Sequence, residues 1–98
     1  MIELTSKQRK VLEKYAHDLQ PVVIVGGAGV TEGVIQKIDD SIAVHELLKV
    51  KFNEFKDEKK DLANEIAEKT NSTLVRIIGN VAIFYREAEK EDDRKYTF

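Results

Sequence analysis

Apolar positions near the start of the chain recur at helical spacing: Val11, Leu12, Tyr15 and Leu19 share one face. Thr5, with Gln8 three residues on, has the pattern of a capping box, so a helix is predicted from Thr5 to about Asp18. Pro21 then pushes Gln20 into extended geometry. Val22, Val23, Ile24 and Val25 follow without a polar interruption, which predicts a strand buried on both faces. After the segment Gly26-Gly27-Ala28-Gly29, Thr31 or a neighbour caps a second helix with Val34, Ile35, Ile38 and Ile42 inward and Glu32 in its first turn. From Glu46 to Asn53, Leu48, Val50 and Phe52 share one face, while Leu47, Lys49 and Lys51 share a mostly solvated one. A third helix starts at Asp57 and buries Leu62, Ala63, Ile66 and Ala67. Leu74 to Ile78 and Val81 to Tyr85 form a hairpin around Gly79-Asn80. The order is α-β-α-β-α-β-β, a single-domain α/β fold with a mixed four-stranded sheet whose strand–helix–strand units cross over right-handed. Strand order does not follow from the pattern.

Composition bounds the class. The 98 residues are one domain, and 42% hydrophobic with 35% charged residues describes a charge-rich globular chain. There is no cysteine, which excludes disulfides and Cys-liganded metal and fits a reducing cytosol, so a cytoplasmic location is expected. The N-terminus is polar from the third residue, unlike a signal peptide, and no apolar run approaches the ~20 residues that span a bilayer. The net charge of −2 speaks against a general polyanion binder, but its location matters more than its sum. Residues 1–86 carry 13 basic and 13 acidic side chains; residues 87–98, with three basic against five acidic, hold the whole excess. That last stretch has no periodicity and is predicted to be an acidic, loosely ordered, flexible tail beyond a domain of residues 1–86.

The glycine segment is the most informative candidate for chemistry. It follows a strand and precedes a helix N-terminus, where unsatisfied N–H groups suit phosphate. A Walker loop is excluded, because no Gly-Lys-Ser or Gly-Lys-Thr follows. A dinucleotide fingerprint fits poorly: Gly33 falls one residue late, and Glu46 precedes its strand instead of following it. A G-x-x-G loop, Gly26 to Gly29, can clamp a nucleic-acid backbone, although a bare glycine pair is equally compatible with a plain tight connection. Lys7, Lys10 and Lys14 form a stripe on the first helix with Arg9 nearby, and residues 7–14 hold four basic side chains against one acid. Lys49 and Lys51 add to the exposed strand face. Alone, such a stripe is an ordinary solvated face; beside a glycine loop it points to nucleic acid.

Other candidates carry less. His17 and His45 belong to no spaced set of metal ligands. Asp39-Asp40 and Asp57-Glu58 lie on predicted polar faces or caps. Tyr15, Phe52, Phe55, Phe84 and Tyr85 are mostly core at these spacings, with Tyr85 open to exposure on one hairpin face. No nucleophile has a base partner, so no enzyme, cofactor, metal or small-molecule substrate is implied.

Four separated motifs then agree in order: L-T-x-K-Q-R at Leu4 to Arg9, A-H-x-L-x-P-V-V at Ala16 to Val23, G-x-x-G-V-T-E-G-V at Gly26 to Val34, and H-E-L-L-K-V-K at His45 to Lys51. Together they resemble the CRM domain (chloroplast RNA splicing and ribosome maturation), above all its stand-alone bacterial YhbY-like form, over roughly residues 2–86. The resemblance implies a fold similar to the C-terminal domain of translation initiation factor 3. It implies RNA binding through Gly26, Gly27, Ala28 and Gly29, with Thr31 at the loop's exit, and association with the precursor of the large ribosomal subunit. Many members carry a basic or polar residue inside this loop; here Gly27 and Ala28 stand there, which leaves backbone N–H groups to make the contact. The acidic end also departs from the often basic ends of relatives. The expected function is therefore a non-enzymatic RNA-binding protein that assists ribosome assembly, with ribosomal RNA and ribosomal proteins as partners and no membrane. The alternatives are an adaptor that reaches the ribosome through proteins, and a small nucleotide-binding protein.

Overall fold

The computed structural model describes residues 2–96. Helix α1, Ser6–Ala16, starts from the predicted capping box: the Gln8 amide donates to Thr5 Oγ1 at 3.1 Å and the Thr5 amide to Gln8 Oε1 at 2.9 Å. It ends two residues before Asp18. Strand β1, Val23–Val25, leads to helix α2, Glu32–His45, and strand β2, Leu47–Phe52. Helix α3, Lys59–Lys69, starts two residues later than predicted. Strands β3, Thr73–Ile78, and β4, Val81–Tyr85, complete the sheet. Gly79, at φ 59°, supplies the positive φ that a two-residue hairpin loop needs at its first position.

The strand order is β1-β2-β4-β3, with β1 and β2 parallel and the other pairs antiparallel. The sheet is covered on both sides. Ile38 and Ile42 of α2 and Ala63, Ile66 and Ala67 of α3 pack on Leu48, Val50, Phe52 and Phe84. On the other face Leu12 and Ala16 of α1 pack on Leu47, Val75, Ile83 and Tyr85.

Helix α1 lies across β2, β4 and β3 and covers the Leu47 end of β2. The face beneath it therefore grades along β2 from buried Leu47 through half-buried Lys49 to exposed Lys51. The same geometry corrects the prediction for β1. It is an edge strand, and Ile24, aligned with Lys51, is 57% exposed instead of buried.

The acidic end makes contacts with the domain. Residues 87–96 fold back on the domain around Glu46, which is 1% exposed. Its carboxylate accepts hydrogen bonds from the amides of Ala88 (2.8 Å) and Lys95, and its carbonyl accepts one from the Arg86 amide. Arg94 pairs with Glu87, and Tyr96 sets its ring edge-on to Tyr15 and Tyr85. Local polarity does not reveal these contacts, because Glu46 lies 42 residues before Ala88 and 49 before Lys95; Thr97 and Phe98 lie outside the described residues.

Candidate functional site

Because β1 and β2 are parallel, the loops that follow them emerge side by side. The Val25 carbonyl accepts from both Asn53 (3.0 Å) and Glu54 (3.3 Å), tying loop 26–30 to loop 53–58. Within the first loop the Gly29 amide donates to the Gly26 carbonyl at 3.0 Å, closing a turn with Gly27 and Ala28 at its tip. Both tip residues are exposed. Gly29 is required by conformation: its φ is 74°, and the Phe55 ring lies 3.5 Å from where a Cβ would stand. Gly26 and Gly27 are not. Neither has a positive φ, and a Cβ at either would meet nothing within 4 Å. The fold alone would accept side chains there, so the glycines leave main chain bare without any packing need.

Thr31 caps α2, its Oγ1 accepting from the Val34 amide at 3.2 Å. Glu32 occupies the first turn and already meets the helix dipole. The helix terminus is thus largely satisfied from within, and the bare turn is the part of the loop that can meet an anion.

The predicted basic residues separate into two groups. Arg9 and Lys49 are engaged in the fold. Edge strand β3 has a register shift between Leu74 and Arg76, and there the Arg9 guanidinium donates to Leu74 O and Val75 O, each at 2.7 Å. Lys49 Nζ donates to His17 O (3.0 Å) and Leu19 O (3.1 Å), closing the C-terminal end of α1. Lys7, Lys10, Lys14 and Lys51 are exposed. They do not form one cluster with the loop. Lys7 sits at the β3 end of α1, and three inter-strand steps of about 4.8 Å separate β3 from β1. Lys51 is nearer, paired in register with Ile24, two residues before Gly26. Lys10 and Lys14 border an open groove between α1 and the uncovered part of the sheet.

Two features escaped the sequence pattern. Lys56 is exposed in the loop beside Gly26–Gly29. Its signal is the parallel β1–β2 pair, since ligand loops gather at the carboxyl ends of parallel strands. Tyr15, expected in the core, is 47% exposed and lines the groove. Among the described residues no group of three His, Asp or Glu side chains could hold a metal, and no helix is long and apolar enough to cross a membrane.

Comparison with known proteins places these features in a family. The model of the CRS1 / YhbY (CRM) domain matches residues 4–86. A protein of Haemophilus influenzae named as an RNA-binding protein is 41% identical over 91 residues, covering 92% of each chain. A Bacillus subtilis relative, whose name also refers to RNA binding, is 34% identical over 88 residues, covering 89% of this chain and 92% of its own. A Staphylococcus aureus protein with a known solution structure superposes with a TM-score of 0.79 at 37% identity, covering 97% of this chain and all of the other. With several curated relatives above 30% identity across nearly their full length, and a domain model spanning all four strands and three helices, this chain belongs to the CRS1 / YhbY (CRM) domain family.

Proposed function

We propose that this chain is a cytoplasmic, non-enzymatic RNA-binding module that assists assembly of the large ribosomal subunit, docking ribosomal RNA backbone on the Gly26–Gly29 turn. The observation that carries the reading is the bare turn: Gly26 and Gly27 are glycine where neither φ nor packing asks for it. Main-chain N–H groups can approach phosphate oxygens closely there, because no side chain intervenes. Lys51 and Lys56 flank the turn, and Lys10 and Lys14 extend the basic surface along the sheet. Arg9 and Lys49, held by main-chain carbonyls, contribute charge to the field without reaching out. Family membership and the RNA-binding names of the relatives support RNA as the partner class.

The double substitution Gly27→Asp with Ala28→Asp tests the docking turn. Both positions are exposed, so thermal unfolding should match the parent, while affinity for ribosomal RNA fragments should fall about ten-fold or more as two carboxylates face phosphate. Parental affinity in the folded variant would remove the turn from the interface. Co-sedimentation with precursor large-subunit particles tests the assembly role. Association should vanish when ribonuclease reduces the particles to free proteins; persistence would identify an adaptor that binds ribosomal proteins.

A further inference from the structure

Helix α1 leaves the Ile78–Val81 end of the sheet uncovered, and the space between is a groove the docking turn does not use. Its floor is apolar: Ile78, Val81 and Ile83 from the hairpin, with Ile78 53% exposed. Its rim is basic. Four cationic side chains (Lys10, Lys14, Lys49, Arg76) line it against two acids, Glu13 and Asp18. Arg76 pairs with Glu13 at 3.2 Å, whereas Lys10 and Lys14 have no ion-pair partner among the described residues. Tyr15 stands in the same wall, its ring oriented by edge-on contact with Tyr96 at 5.0 Å between centroids.

We propose that this groove receives unpaired RNA bases, Tyr15 stacking on a base while Lys10 and Lys14 hold the flanking phosphates. The proposal rests on the reading of the chain as an RNA-binding module and specifies the form of RNA bound. An apolar floor inside a cationic rim complements a ligand with flat apolar faces and an anionic backbone. An unpaired strand offers both. A duplex hides its base faces in the stack and presents only phosphates and groove edges. The sheet face and α1 are both fixed by the core, so the groove is preformed.

The test titrates the full chain with a labelled oligouridylate and with an RNA duplex of equal length. Tyr15→Ala should weaken the single strand roughly five-fold or more, the scale of one lost base–aromatic stack, and leave duplex binding at the parental level. Tyr15→Phe should retain parental affinity. Because Tyr15 also touches Tyr96, Ile78→Glu, at an exposed site outside that contact, serves as a second variant with the same expected loss. A thiouridine-substituted strand should photocrosslink within residues 10–18 or 76–83. Parental affinity in both folded variants, or crosslinks confined to Gly26–Gly29, overturns the groove while leaving the docking turn intact. Failure of the parent to bind either RNA would bring down the RNA-binding reading, and the groove with it.

Discussion

Glu46 combines features that rarely coexist. It is a non-glycine residue at φ 64°, it caps α2, and its carboxylate is buried against two main-chain amides of the C-terminal segment. Hydrogen bonds to a charged acceptor in such a place contribute about 1.5–3 kcal/mol, enough to offset an unfavourable backbone conformation of about 1–3 kcal/mol. Glu46→Gln removes one acceptor oxygen and adds donors where two amides already point inward. It should lower unfolding stability by about 1–3 kcal/mol in urea titrations. Deleting residues 87–98 should cost less in that variant than in the parent, the difference being the coupling between them; equal costs would show that the carboxylate does not hold the segment. Tyr85 sits beside this group. Burial, reinforced by the Glu46 and Glu87 carboxylates, pushes its phenol up to about 12. The raised value favours the neutral phenol in the folded state. Its contribution is therefore complete below about pH 10 and is lost as pH rises from there toward 12. Alkaline unfolding followed by tyrosinate absorbance should show this fall, and Tyr85→Phe should flatten it.

Among the elements, the helices and the hairpin were legible because their signals are local. Thr5 and Gln8 meet within one turn, Thr31 caps the helix it precedes, and Gly79-Asn80 joins strands that pair directly. The status of β1 was not legible. Four β-branched residues describe a strand but not its neighbours, and Ile24 is exposed because β1 lies at an edge that α1 does not reach. The same limit hid the partners of Arg9 and Lys49, which are 65 and 32 residues away in sequence, and the proximity of Lys56 to the glycine turn. Of the candidate site, the turn was readable as a motif. Which of its glycines the fold needs became visible only with φ values and the position of the Phe55 ring.

For the molecule as a whole, net charge is a poor guide to binding and charge placement a better one. With Lys10 and Lys14 on the groove and Lys51 and Lys56 beside the turn as the cations that meet phosphates, single-stranded RNA affinity should fall with log salt at a slope of about −3, shallow for a nucleic-acid binder. A slope several times steeper, measured by titration across salt concentrations, would require a wider basic surface than the one described. The five acids of residues 87–98 are strapped by Glu46 beside the first residue of β2, while the glycine turn adjoins the last. The strap thus adds a local excess of two negative charges at that end, while the glycine end mixes exposed Glu32, Glu54, Asp57 and Glu58 with Lys51 and Lys56. A polyanion drifting toward the strapped end would be repelled there, so the strap's acids act on how a complex forms and hardly on how long it lasts.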